Sequence, residues 1–495
     1  MKPGTRSAPP RAGAMLEALR GLGYSTATAL ADIIDNSISA GASEVRVTFV
    51  WAGTASYITL LDNGAGMTDA ELERAMTLGD KSPLDERAAG DLGRFGMGLK
   101  TASFSQCRRL TVATSKGGSQ SCLRWDLDKL ALDPGGGWLL FEGAVAGSEE
   151  RLKSLPVATS GTLVLWEVLD RIVTKSYDVE DFVDLIDRVE AHLAMVFHRL
   201  IQGPRARLRI FLNDKAVCPW DPFMTDHPAK TWASPVQPFR SDAGIVVVEC
   251  HVLPHKDRLS AEEFGTGAGP DGWNAQQGFY VYRNQRLLVA GGWLGLGQGR
   301  AWNREEAYRL ARIRLDIPNT ADADWKIDIR KSTAKPPVAL RNWLSNIAED
   351  TRNRARKVFA YRGSPGPMRG NTPIEPAWRT EQTKAGMRYR IDEKHPAVSA
   401  ALEAAGAQAE IIRAMLRVVE ETVPVQKIWL DTAENKDMPR TAFSGAPAAD
   451  VSGVLGTLFN DMVGRRGMSP TLARQTLATT EPFQNYPQLV AALGS

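Results

Sequence analysis

The sequence predicts a mixed α/β chain: a layered helix-and-sheet domain, a second α/β domain, and a small, mainly helical C-terminal region. Three observations carry this. Alternating apolar segments recur as strands, among them EVRVTFV at 44–50 and GIVVVECHVL at 244–253. Helical periodicity recurs around them, at 14–22, 26–40 and 179–201. A Pro- and Gly-rich segment, YRGSPGPMRGNTPIEP at 361–376, then reads as a linker before a stretch of short helical patterns.

Taken in order, helices at 14–22 and 26–40 lead into strands at 44–50 and 57–61. A helix at 69–77, a Gly-punctuated loop at 79–98 and a helix near 97–106 follow. Strands at 109–114, 121–127, 138–142 and 161–167 complete a first domain over 13–172. The second, 173–360, opens with the long amphipathic helix 179–201. It continues with strands RLRIFLND (207–214), 244–253, GFYVYRNQRLLV (278–289) and RIRLDIP (312–318), and a helix over 337–360. Helical patterns at 396–405, 408–421, 448–464 and 469–479 place a helical domain at 377–495.

Composition narrows the class. The 495 residues are 43% hydrophobic and 24% charged, an ordinary globular balance. A net charge of +3 is too mild to argue for nucleic acid by itself. The four cysteines, at 107, 122, 218 and 250, form no CxxC pair, which points to a reducing compartment without structural disulfides or zinc. The opening MKPGTRSAPPRAG lacks the apolar core of a secretory signal and reads as a disordered lead over 1–12. No apolar run is long enough to span a bilayer, so the expectation is a cytoplasmic protein with no membrane partner.

Three motifs carry chemistry. In ALADIIDNSISAG (29–41) a helix places Asp32 and Asn36 on one face, with Asp35 a quarter-turn off and expected to point elsewhere. An amide oxygen can ligate a hard cation such as Mg²⁺. A carboxylate beside it can orient or deprotonate a water. Taken alone, the segment favours capping or a local hydrogen-bond network instead. In LLDNGAGMT, a strand ends at Leu61, and Gly64 and Gly66 let the backbone turn and approach a ligand closely; a hairpin turn is the plainer reading. In GDLGRFGMGLKTASFSQC, Gly93, Gly96 and Gly98 precede a helix and expose backbone N–H groups to phosphate. It is not a P-loop, because Leu99 intrudes before Lys100 and no strand precedes it. The plain alternative is a flexible loop.

The three together are far more specific. Their order resembles the GHKL ATPases (gyrase B, heat-shock chaperones, histidine kinases and MutL), and GRFGMGLKTAS with ALADIIDNSISAGA most resembles the MORC branch and its bacterial relatives. The resemblance is strong over roughly 30–170 and looser through about 345. It implies a Bergerat-type ATPase sandwich followed by an S5-like transducer. It implies ATP as ligand, with Asn36 holding Mg²⁺ and Asp62 accepting from the adenine amino group. Gly64, Gly66 and Met67 would line the adenine side, and Thr162 of SGTLVLWE would support its hydrogen bonds. Residues 79–98 would be the lid, with Gly93, Arg94, Phe95, Gly96, Met97, Gly98 and Leu99 around the phosphates and Lys100 adding a point charge. The general base, usually Glu, is here Asp32, one methylene shorter. The transducer's lysine for the γ-phosphate falls in WKIDIRKSTAKPP: Lys331 first, with Lys326 and Lys335 as alternatives.

The function so implied is Mg²⁺-dependent ATP binding and slow hydrolysis driving homodimerisation, as a clamp or switch in a DNA-processing or phage-defence complex, with DNA, a nuclease or a helicase as partner. The alternatives are a non-hydrolysing ATP sensor or scaffold and a chaperone-like clamp. A signalling kinase needs a phosphoacceptor histidine ahead of the ATPase domain, and there is no His before His192.

Overall fold

The computed structural model describes residues 10–80, 98–133, 136–204, 206–241, 244–322, 324–328, 331, 333–360, 375–383, 386–428 and 448–494. The chain divides into two compact units, Met1–Arg362 and Gly363–Ser495.

The first unit opens with α1 (Ala12–Leu19) and α2 (Thr26–Ser39), then β1 (Glu44–Val50) and β2 (Tyr57–Asp62). Next come α3 (Asp69–Met76), α4 (Gly98–Phe104), β3 (Arg109–Lys116), β4 (Ser119–Asp126), α5 (Leu127–Ala131), β5 (Phe141–Glu142) and β6 (Gly161–Glu167). After β6 run α6 (Val179–Val196), α7 (His198–Ile201), β7 (Arg209–Leu212) and β8 (Lys215–Ala216). The eight strands form one sheet in the order β5-β4-β3-β6-β2-β1-β7-β8. Its pairs are antiparallel except β1 with β7, which run parallel.

This sheet extends past the expected boundary at 172. The parallel β1–β7 pair needs a crossover, and α6 supplies it. α6 starts at a capping box on Asp178 and buries Phe182, Leu185, Val189 and Leu193 in the same core as Val45, Val47 and Phe49. Helices cover that one face of the sheet. The other face carries a smaller cluster, Ala113, Leu163 and Leu165 under Leu155.

The second sheet belongs to the same unit. It contains β9 (Trp232–Ala233), β10 (Gln237–Ser241), β11 (Gly244–Val252), β12 (Gly278–Arg283), β13 (Arg286–Ala290) and β14 (Ala311–Asp316). The order is β10-β11-β14-β12-β13, with β9 on β11. The segment expected as one strand over 278–289 is a hairpin that turns at Asn284 and Gln285, both at positive φ (+49° and +68°). A 23-residue helix, Val338–Ala360, packs on β11 and β14.

The second unit is less purely helical than expected. It begins with an antiparallel hairpin, β15 (Trp378–Thr383) and β16 (Gly386–Ile391). Helices Pro396–Ala405, Ala409–Thr422, Ala448–Asn460 and Pro470–Ala478 follow, the last two sharing a core around Val451, Leu455, Phe459 and Leu477. Among the described residues no helix is long and apolar enough to cross a membrane.

Candidate functional site

α2 is built to be placed firmly. Ser25 caps its start, its hydroxyl accepting from the Thr28 N–H at 3.2 Å. Gly41 at φ +74° follows its end, as a left-handed residue past a helix does. Leu30, Ile33 and Ile34 are fully buried toward the sheet, each contributing about 1.5–3 kcal/mol of apolar burial. That docking carries Asp32 and Asp35 inside as well, at 5% and 1% exposure. Two buried carboxylates on adjacent turns demand cations.

Both cations come from the second-sheet region. The Lys331 ammonium donates to Asp32 Oδ1 at 3.0 Å and also to Asp35 Oδ2. Arg286, the first residue of β13, donates from Nε to both Asp35 oxygens at 3.1 Å. Its Nη2 stands 3.6 Å from Asp32 Oδ1. Burial alone would raise the Asp35 carboxyl, but the Arg286 and Lys331 charges outweigh it and hold the group below its ordinary range. Asp32 Oδ2 accepts from the Tyr24 hydroxyl at 2.9 Å. Burial, with the Asp32 charge behind it, keeps that hydroxyl protonated far above the usual tyrosine range.

Asp35 was expected to point elsewhere; it shares the Lys331 ammonium with Asp32, since residues three apart on a helix are neighbours. Of the three candidate lysines, Lys331 reaches α2, whereas Lys326 and Lys335 are exposed. Asn36 is exposed, and its side chain has no partner among the described residues.

The floor of the site lies at the end of β2. Asp62 is buried, accepting from the Ser37 hydroxyl at 2.7 Å and the Gly64 N–H at 2.9 Å. Thr162 pairs with Asp62 across the β2–β6 register. Its hydroxyl meets that of Thr114 at 3.3 Å, and the Thr114 hydroxyl accepts from the Met67 N–H at 2.9 Å. Gly66, at φ +63°, passes so close to β3 that a Cβ there would stand 2.0 Å from the Ser115 carbonyl oxygen. A Cβ at Gly161 would stand 2.4 Å from the Asp62 carbonyl oxygen. The backbone here leaves no room for side chains.

The phosphate side is only partly described. Gly93, Arg94, Phe95, Gly96 and Met97 lie outside the described residues. Gly98 and Leu99 open α4, with Leu99 against the first core. Lys100 is buried, and its ammonium donates to the carbonyls of Ala75 and Thr77 at 2.9 Å each, at the end of α3. A phosphate role for Lys100 therefore requires exchanging those bonds. Burial lowers its pKa to about 8.

A family model described as "Histidine kinase-, DNA gyrase B-, and HSP90-like ATPase" matches residues 24–139. Over these residues the chain is GHKL-like. The chain is also similar to "ATPase morc-1" of Caenorhabditis elegans, 31% identical over 91 residues, or 18% of this chain. That alignment spans 10% of the relative's own length. The GHKL-like segment contains α2, β2 and α4, and so holds Asp32, Asn36, Asp62 and Lys100. Lys331 and Arg286 lie outside it.

Sequence reasoning missed Arg286, Tyr24 and Ser37. Arg286 carried the most visible signal: an arginine opening a strand, RLLVA, that is otherwise apolar. A charged residue on a buried strand needs a buried partner.

Asp62 gives a prediction of its own. Burial raises its carboxyl above the ordinary range, against the lowering effect of its hydrogen bonds. A raised acid adds stability below the ordinary carboxylate range and loses it as pH rises through the folded value. Asp62→Asn is therefore expected to gain stability relative to the wild type as pH rises from about 4 to about 7. Urea unfolding at the two ends of that range reads the difference; a pH-independent difference contradicts it.

Proposed function

We propose that this chain binds ATP with Mg²⁺ at the α2–β2–α4 face, hydrolyses it slowly, and uses the bound state to pair two copies of the chain. The observation that carries the reading is the lysine of the second-sheet region on the carboxylates of a GHKL-like α2. It ties the region expected to act as an S5-like transducer to the segment expected to hold nucleotide.

The residues suit these groups. Gly66 and Gly161 let the backbone beyond β2 close tightly on β3 and β6, which fixes Asp62 and its buried acceptor oxygens at the place expected for the base. Asn36 is the exposed amide oxygen for a hard cation. When bound, Mg²⁺ supplies charge neutralisation to the phosphates. Asp32 takes the proton of the attacking water. Tyr24 fixes its Oδ2, and Lys331 occupies its Oδ1 and must move off for that oxygen to act. Lys331 then serves the terminal phosphate. The nucleotide-driven pair would be a clamp or switch for a DNA-processing or phage-defence complex, with DNA, a nuclease or a helicase as partner, in the cytoplasm. The resemblance to MORC relatives supports this assignment.

A specific observation favours a second reading, a non-hydrolysing ATP sensor. Asp32 is shorter than the usual Glu, and both its oxygens already have donors.

Light scattering with Mg²⁺ and ATP, ADP or a non-hydrolysable analogue, run beside phosphate release, separates the two. A doubling of mass with the analogue, abolished by Asn36→Ala, together with phosphate release supports the hydrolytic gate. The same doubling without release supports the sensor. No binding, or binding at constant mass, rejects the clamp.

A further inference from the structure

Four charged side chains are buried together, two carboxylates from α2 and two cations from the second-sheet region, and their formal charges cancel. The two cations are not equivalent. Arg286 is held on three sides. Its Nε and Nη2 sit on Asp35, at 3.1 Å in each case, and its Nη1 donates to the Leu287 carbonyl of its own strand at 2.7 Å. That planar fork is satisfied where it is and carries a large cost to withdraw. Lys331 is a point charge on a flexible stem, with its own backbone at φ +53°, and its side chain is 10% exposed. Of the two, Lys331 is the one able to leave.

The cost of its leaving depends on what remains behind. With Arg286 in place, Asp35 keeps a bidentate cation, and Asp32 keeps Tyr24 at 2.9 Å and the Arg286 Nη2 at 3.6 Å. Without Arg286, Lys331 would be the single cation among the described residues for two buried carboxylates, and moving it would strand both.

We infer that Arg286 is a positioning residue that sets the discrimination of ATP over ADP: by neutralising Asp35 it frees Lys331 to meet a terminal phosphate. This rests on the reading above that Lys331 serves that phosphate. It extends that reading to a residue that does not touch nucleotide. ADP has no terminal phosphate to draw Lys331, so its binding is indifferent to how tightly the carboxylates hold the lysine.

The test is calorimetric titration of the full chain with Mg²⁺ plus ADP and Mg²⁺ plus a non-hydrolysable ATP analogue. The proteins are the wild type, Lys331→Met, Arg286→Met and Arg286→Met/Asp35→Asn. Lys331→Met is expected to collapse the ratio of the two affinities. Arg286→Met is expected to weaken the analogue by at least about tenfold and ADP by less than about threefold. The double variant, which removes a carboxylate with its cation and so spares the fold an unpaired charge, is expected to recover most of the ratio. Equal weakening of both ligands by Arg286→Met, or no recovery in the double variant, reduces Arg286 to a structural ion pair and overturns the inference. If Lys331→Met shifts the ratio and Arg286→Met does not, only the Arg286 inference fails. If Lys331→Met leaves the ratio unchanged, the phosphate role of Lys331 fails, and the inference with it.

Discussion

Asp32→Asn is expected to bind Mg²⁺–ATP within about threefold of the wild type and to release phosphate at least about a hundredfold more slowly. The substitution keeps the size of the side chain and an acceptor for the Tyr24 hydroxyl, so the packing around α2 is preserved. It removes the group that takes the proton from water. It also removes one of the two carboxylates sharing Lys331, which leaves that lysine less strongly held. Affinity for ATP should therefore not fall while turnover does, a loss of kcat without a rise in KM. Single-turnover phosphate release beside equilibrium nucleotide binding is the measurement. Measurable wild-type release that Asp32→Asn leaves unchanged removes Asp32 as the base, whereas binding with no release in either protein favours the sensor reading.

The second large effect is structural. Gly66→Ala should destabilise the first unit by about 3–5 kcal/mol, because two costs add: a left-handed φ of +63° and a Cβ placed 2.0 Å from a carbonyl oxygen. That oxygen cannot move aside cheaply. It belongs to Ser115 on β3, which is registered against Gly161 on β6, and Gly161 is itself pressed on the Asp62 carbonyl. Gly98→Ala is the control, since a Cβ at Gly98 meets nothing within 4 Å among the described residues. Chemical denaturation of both proteins should show a large shift for the first and little for the second. Similar midpoints would mean that the segment after β2 moves off β3 more cheaply than the 2.0 Å approach implies.

Much of the first sheet was legible because its signals are local. β1 alternates along EVRVTFV, and the run from Tyr57 to Asp62 ends in glycines, so both strands and the turn after them can be read from neighbouring residues. α2 announces itself by the helical periodicity of its apolar positions. Asp32, Asp62 and the glycines around them fall inside that local pattern. What could not be read was pairing at a distance. Asp35 and Arg286 are 251 positions apart, and no property of either segment names the other. The strand at 209–212 reads as a strand, but which sheet takes it depends on the α6 crossover. The β15–β16 hairpin was overlooked for another reason. WRTEQT is largely polar, without the apolar alternation that a half-buried strand shows.

The placement of β7 also bears on how the chain emerges from a ribosome. Until residues 209–212 are out, β1 has a bare edge, and the face that takes Phe182 and Val189 is uncovered. A nascent chain released to residue 172 would thus display an unpaired apolar strand while α6 was still being made, a state open to pairing with other chains. Synthesis at about 5–20 residues per second makes that window last a few seconds. Slowing translation just after the codon for Glu167 should lengthen the window and raise the aggregated fraction, while slowing it well downstream, after Ala290, when β7 has cleared the ribosome, should not.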